Sequence, residues 1–363
     1  WDPDPQSSPS APPLGGFEDR VRDQLYQLGG DQTAAALEVV TSLDADAQAA
    51  VWEELRSVDK GIPTFILMNK MQEVIAYHGN RRRGDDDLLD NSVPPASRFK
   101  TLAYALYIDM MQERGVRASA AQQLQLPTRF ELSSGKVVQD DRADGDFVSL
   151  REALANSYNA PAYAVAQRVG ARRFARFANR SFGMSISPVL AAALGSEDVT
   201  ETNLASAYAT LLLRNGRSGA PTFILSIRDR RTGDVLYEHA DDPDAEPPVV
   251  SRETSHALRS LLGTVARVGT ARALTDPRAE HTLAAVSSLG AKTGTSPSVS
   301  EDRTLGVTGM IGQHVFSLSV QGQSIPPWEY SSTVAVPLAR RTLHALCENS
   351  NEDSSEDGSV DCS

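Results

Sequence analysis

A chain of 363 residues with 35 basic and 47 acidic side chains carries a formal net charge of -12 at neutral pH. With no clustered basic run it has no surface that would track a phosphate backbone, which excludes nucleic acid as a partner. No apolar run approaches the roughly 18 residues of a membrane span. The two cysteines, Cys347 and Cys362, both sit at the C-terminal end, too few for a disulfide scaffold and without a CxxC or His companion for zinc.

The opening "WDPDPQSSPSAPPLGG" has little to bury and reads as a tether, so residues 1–36 are expected to be a linker and lead-in segment. Starting at Trp1 without Met or a basic-then-apolar leader, the chain is expected to be a fragment or a mature form. "ALEVVTSLDADAQAAVWEEL" predicts a short strand and then a helix with Ala47, Val51 and Leu55 on one side, capped by Ser42 or Asp44. "PTFILMNK" and "EVIAYHGN" predict a hairpin turning at Lys70 to Gln72. Two further hairpins are predicted, one in "PTFILSIRDRRTGDVLYEHA" turning at Thr232 to Asp234, the other in "LGVTGMIGQHVFSLSVQG" turning at Gly312-Gln313. Amphipathic helices are expected in "LREALANSY", "ARRFARFANRSF", "ETNLASAYATLLLRN" and "SHALRSLLGTVARV", and a last one in "VAVPLARRTLHAL". Strands at both ends with helices between predict an α+β fold, one antiparallel sheet assembled from both ends of the chain and flanked by helices. The main domain is expected over 37–347, followed by an acidic, Ser-rich, disordered tail over 348–363.

Three short motifs carry the chemistry. Only five lysines occur, at 60, 70, 100, 136 and 292, and unlike arginine a lysine can give up its proton when desolvated. In "SVPPASRFKTLAYALYI", Ser97 falls at a helix N-terminus, and spacing of three puts the Lys100 amine over its hydroxyl, where a lowered amine could serve as base. The same SxxK spacing also describes a solvated helix surface. "ANSYNAPAYAV" places Ser157 and Asn159 two apart in a loop, able to aim a hydroxyl and an amide into one cleft, or simply to cap a helix. "SSLGAKTGTSPS" ends a strand with Lys292, Thr293, Gly294 and Thr295, offering a lysine able to act as a switchable amine, or a surface lysine beside a turn.

In this order the set SxxK, SxN and KTGT resembles the penicillin-recognising serine enzymes. The chain is similar to the transpeptidase domain of class A penicillin-binding proteins from about Leu37 to His344. "TSLDADAQ" resembles the opening of that domain, "EVIAYHGN" its "GEVLAMVGG" strand, and "LREALANSYNAPA" the helix before SxN. "ALGSEDVTETNLASAYATLLLRNG" resembles its "ALGSxxVTPLELAAAYAxxANGG", and "SRETSHALRSLLGTVARVGTARAL" the helix before KTG. "LGVTGMIGQHVFSLSVQG" is similar to the penicillin-binding protein 1C branch.

The resemblance implies a central antiparallel sheet flanked by helices plus an all-helical subdomain. It implies that Ser97 is the acylated nucleophile, Lys100 its base, Ser157 the proton relay to the leaving amine and Lys292 its support. Asn159 would hold the donor amide, Thr293 and Thr295 the terminal carboxylate, and Gly294 would let the strand approach closely. The backbone N–H groups of Ser97 and Thr295 would form the oxyanion hole. The activity implied is D,D-transpeptidation of peptidoglycan stem peptides with β-lactams as inhibitors, without metal or cofactor. An extracytoplasmic site of action, an anchor outside this chain, and a glycosyltransferase domain or cell-wall synthesis proteins as partners are implied with it. In such a compartment Cys347 and Cys362 are expected to pair, closing only the tail.

The sequence departs from the family in three places. Ala96 replaces the usual glycine before the nucleophile, so the backbone there is expected to avoid positive φ. "EDRTLGV" follows KTGT without the usual aromatics, and "LMNKMQEV" lacks the Asp-Pro-x-x-Gly turn. A D,D-carboxypeptidase, a β-lactamase and a non-catalytic wall-binding module are the alternatives. For a β-lactamase the nearest counterpart of a deacylating glutamate is Glu201 in "ETNL", in the wrong order. The six histidines show no paired spacing, and "RRRGDDDLLDN" lacks EF-hand ligand spacing, reading as a solvated loop.

Overall fold

The computed structural model describes residues 14, 16–29, 36–79, 87–240, 247–296, 303–322, 325–352 and 362. The tether before residue 14, most of the "RRRGDDD" segment and residues 353–361 of the tail lie outside the described residues. The first part of the chain forms α1 (Phe17–Gln27), β1 (Leu37–Thr41), α2 (Ala45–Leu55) and the hairpin β2 (Ile62–Asn69) and β3 (Val74–His78). A 3-10 turn at Ala96–Phe99 leads into α3 (Lys100–Glu113) and α4 (Ala118–Ala121). Short strands β4 (Gln125–Pro127), β5 (Arg129–Glu131), β6 (Val137–Gln139) and β7 (Phe147–Ser149) follow. Next come α5 (Leu150–Ala155), α6 (Asn159–Val169), α7 (Ala171–Phe182) and α8 (Glu201–Leu212). The hairpin β8 (Ile224–Asp229) and β9 (Val235–Glu238) precedes α9 (Arg252–Val268). β10 (Leu289–Thr295), β11 (Arg303–Ile311), β12 (His314–Gly322) and α10 (Ala335–Glu352) end the fold.

The central sheet runs β10-β11-β12-β2-β3, antiparallel throughout, and β12 joins the two ends of the chain by pairing with β2 in the register Phe316↔Leu67. Every position of β11 and β12 is buried, so both faces of the sheet are covered. The helices α8 and α9 pack on one side, and the mutually packed α2 and α10 cover the other. Asp44 caps α2, its carboxylate accepting the Ala47 N–H at 2.7 Å, while Ser42 instead ties Val74 and Thr222 together through their carbonyls.

The single sheet expected from the strand pattern is corrected. The middle hairpin does not join it but pairs with β1 in a three-stranded sheet of order β1-β8-β9, with Leu37 opposite Asp229. Alternating burial explains this, since β1 reads intermediate and exposed by turns and can cover only one face, whereas the central strands are apolar on both. Two small ribbons, β4 with β7 and β5 with β6, lie within the helical part. Within the segment read as linker, α1 docks on the domain through Phe17 and Val21, with the Phe17 ring against Tyr77 and Phe223. Its two buried residues stand four apart in an otherwise charged stretch, too sparse a stripe to read as a core helix. At the other end α10 continues to Glu352, past residue 347, and Cys347 is bonded to Cys362 with their Cα atoms 5.8 Å apart.

Candidate active site

β10 is an edge strand paired only with β11, placing Lys292 opposite Thr308 and Gly294 opposite Gly306. Its other side faces the turn that carries Ser97. The need for glycine at 294 is steric: a Cβ there would stand 2.5 Å from the Pro95 carbonyl oxygen and 3.0 Å from the Arg98 nitrogen. The strand can touch the Ser97 turn only because that atom is missing.

The turn itself is held from below. Ala96 has φ 49°, correcting the expectation that this position avoids the left-handed region; for an alanine that conformation costs about 1–2 kcal/mol. What holds it is a close backbone contact, the Ala96 N–H donating to the Gly195 carbonyl at 3.1 Å. A Cβ on Gly195 would sit 2.1 Å from the Ala96 oxygen, so the glycine of "ALGS" is the bed for the turn. Arg98 points into the core, 1% exposed, and its guanidinium meets the equally buried Glu201 at 2.6 Å. Ser317 donates to the same carboxylate at 2.7 Å, and the Tyr208 hydroxyl donates to the Arg98 carbonyl at 2.7 Å. Burial works to raise the Glu201 carboxyl, but the charge of Arg98 and hydrogen bonds from Arg98, Ser317 and Ser319 hold it below the usual range.

Ser97 lies on the 3-10 turn rather than in the α-helix, half-buried, and its hydroxyl makes no hydrogen bond among the described residues. Lys100 begins α3 directly after it. The expected Ser97 to Lys100 hydrogen bond is absent; the amine reaches across to the SxN loop, donating to the Ser157 carbonyl at 2.8 Å, the Tyr158 carbonyl at 3.2 Å and Asn159 Oδ1 at 2.7 Å. Burial lowers Lys100 to about 7, partly opposed by the negative charge of Asp140. A neutral amine has two N–H donors for these three acceptors and a lone pair to spare, so near neutrality Lys100 is poised between donor and base.

Ser157 has φ 60°, a strained backbone for a serine, and its hydroxyl accepts from Lys292 Nζ at 2.8 Å. Lys292 also donates to the Thr293 carbonyl at 3.0 Å, and burial followed by repulsion from Lys100 pushes it well below the ordinary lysine range. Two buried amines thus flank one serine. Asn159 is exposed at the start of α6, where Asp140 accepts the Asn159 and Ala160 N–H groups at 3.0 and 2.7 Å. Thr293 donates to the Thr270 hydroxyl at 2.6 Å, and the Thr295 hydroxyl shares a 2.9 Å bond with Ser331. The three motif segments are therefore neighbours: Lys100 and Lys292 both bond the Ser157–Asn159 loop, and β10 packs against the turn that carries Ser97. Sequence reasoning missed Asp140, Gly195, Arg98 and Ser331. Asp140 and Ser331 lie in loops 19 and 36 residues from the groups they hold, with no local pattern to mark them. The loop bearing Ser331 also presents the exposed Trp328 and Tyr330 near the end of β10, where the segment after KTGT has no aromatic.

The family described as penicillin binding protein transpeptidase domain matches residues 64–340. Penicillin-binding protein 1C of Escherichia coli (strain K12) is 24% identical over 338 residues, which cover 86% of this chain and 39% of that protein. Penicillin-binding protein 1B of Haemophilus influenzae is 31% identical over 178 residues, or 48% of this chain and 21% of that protein. The chain thus spans well under half the length of these two relatives. Among solved structures, the penicillin-binding protein PonA1 from Mycobacterium tuberculosis superposes with a TM-score of 0.76 at 20% identity, covering 95% of both chains. The same protein in complex with penicillin V gives 0.75 at 18% identity, covering 96% of this chain and 98% of that one. With a helix-flanked antiparallel sheet, the motif residues gathered at its edge and a family match over most of its length, the chain belongs to the penicillin binding protein transpeptidase domain family.

Proposed function

We propose that the chain is a serine D,D-transpeptidase. Ser97 attacks the penultimate carbonyl of a D-Ala-D-Ala stem peptide, the terminal D-Ala leaves, and an amine from a neighbouring strand resolves the acyl-enzyme. The observation that carries this reading is the pair of buried, depressed lysines on either side of Ser157, directly behind the turn that presents Ser97.

Neutral Lys100 takes the Ser97 proton as the C–O bond forms. The N–H groups of Ser97 and Thr295 stabilise the oxyanion, and Ser157, held by Lys292, delivers a proton to the departing amine. The free amide nitrogen of Asn159 positions the donor backbone. Thr293 and Thr295 exchange their hydroxyl partners Thr270 and Ser331 for the substrate carboxylate, drawn by the charge Lys292 gains when protonated. Glu201, the nearest counterpart of a deacylating glutamate, is ion-paired with Arg98 beneath the turn and so does not serve water as a base. β-Lactams therefore act as long-lived acylating inhibitors, and stem peptides are the substrate class. The domain works on the outer side of the membrane beside a glycosyltransferase domain or other wall-synthesis proteins; among the described residues no helix is long and apolar enough to cross a membrane.

Incubation with penicillin followed by intact-mass spectrometry and peptide mapping tests this. A persistent single adduct on Ser97, absent from Ser97→Ala, is expected. Rapid drug turnover without an adduct would indicate a β-lactamase, and neither adduct nor turnover a non-catalytic module.

A further inference from the structure

Away from the catalytic cleft, α5, α9 and the chain entering β10 line an open pocket of about 540 Å³ bordered by Arg151, Arg259, Arg267, Ser260, Thr264 and Ser287, among others. None of Ser97, Lys100, Ser157 and Lys292 contributes to it, and no acidic side chain is among its lining residues. This is notable in a chain whose net charge is -12. Arg259 and Arg267 stand eight residues apart on α9 and so share a face, with Ser260 and Thr264 beside them.

The three guanidiniums have only neutral partners. Arg151 donates to Thr264 at 2.6 Å, to Ser260 at 3.2 Å and to Gln122. Arg259 donates to Asn215 at 2.9 Å, and Arg267 to the Val286 and Ser287 carbonyls at 3.4 and 3.2 Å. Arg259 is half-buried, and burial followed by the nearby charge of Arg252 lowers it from the ordinary arginine range. Arg151 is also half-buried and Arg267 is exposed; three cations lining one pocket without a carboxylate repel one another, and an entering anion would relieve that repulsion.

We propose that this pocket is a phosphoryl-binding site. One guanidinium fork satisfies the two oxygens of a carboxylate, whereas guanidiniums from two helices with serine and threonine hydroxyls between them match the larger oxygen set and higher charge of a phosphate. The volume exceeds that of a lone phosphate and admits a phosphate ester, so the source is either free phosphate or a phosphodiester within a larger molecule.

Calorimetric titration of the whole chain with inorganic phosphate, and separately with glycerophosphoglycerol as a phosphodiester probe, tests the assignment at fixed ionic strength. Saturable binding of at least one probe is expected, weakened roughly tenfold, about 1.4 kcal/mol, in Arg259→Gln and again in Arg267→Gln. Tighter binding of the diester identifies a phosphodiester-bearing ligand, and tighter binding of inorganic phosphate identifies the free ion. Melting curves of both variants check that they fold. No saturable binding of either probe, binding equally strong in folded variants, or equal competition by chloride would overturn the proposal.

Discussion

Replacing Glu201 with leucine removes the carboxylate that neutralises Arg98 beneath the turn that carries Ser97. Both side chains are 1% exposed, and at 2.6 Å with an effective dielectric near 20 their attraction is about 6 kcal/mol before desolvation is subtracted. After the substitution the Arg98 guanidinium keeps only the Pro95 carbonyl at 3.1 Å and the Thr308 and Ser317 hydroxyls, both at 3.4 Å. An uncompensated charge of this kind typically costs about 3–5 kcal/mol, a large part of the ~5–15 kcal/mol that holds a domain together. The double change Arg98→Met with Glu201→Leu removes both charges, and its cost is expected to be much smaller, about 1 kcal/mol or less. Urea denaturation measures both, and fluorescent-penicillin labelling reports the turn. Because Arg98 lies between Ser97 and Lys100, the single variant should label slowly and the double variant recover part of the rate. If Glu201→Leu unfolds within about 1 kcal/mol of the parent, or the double variant is no more stable than the single, the ion pair does not hold the turn.

Penicillin acylation should rise with pH and level off above about 7, as burial-depressed Lys100 loses its proton; in Asp140→Asn, which removes a charge that raises Lys100, the midpoint should move to lower pH. An unmoved midpoint would separate Asp140 from the base. Gly294→Ala drives a methyl into the Pro95 carbonyl and should slow acylation by roughly 10² while the melting curve changes little, as expected for displacement of reacting groups by about 1 Å. Lys100→Arg should not acylate at neutral pH, whereas Lys292→Arg should mainly weaken carboxylate-bearing donors; labelling of Lys100→Arg at the parent rate would refute the assigned base. Replacing Cys347 and Cys362 with serine should alter the melting temperature little, because the bond closes a loop of the tail outside the central sheet, and a large drop would show that the tail supports the core.

Much of the site was legible because its chemistry is local in sequence. SxxK, SxN and KTGT each fall within one turn or one strand end; each spacing alone left a surface or capping reading open, and it was their order and the resemblance to the family that singled out Ser97, Lys100, Ser157, Asn159 and the Lys292 to Thr295 run as candidates. The central hairpins were legible for a similar reason, since β2, β3, β11 and β12 are short apolar runs separated by turn residues. The partition of strands between two sheets was not, because the alternation in β1 says that one face is covered without saying against which neighbour.

The sequence by itself determined the fold class, the three motifs and their order, and the identity of the ionisable groups. Only the tertiary structure decided what those groups do to one another. It turned the Lys100 amine from Ser97 toward Ser157, Tyr158 and Asn159, placed Asp140 at the start of α6, and set Arg98 on Glu201 103 residues away. The reason is physical: a proton affinity or a strained φ depends on desolvation, nearby charge and backbone contacts made by segments distant in the chain, and these exist only once the sheet and helices have closed around them.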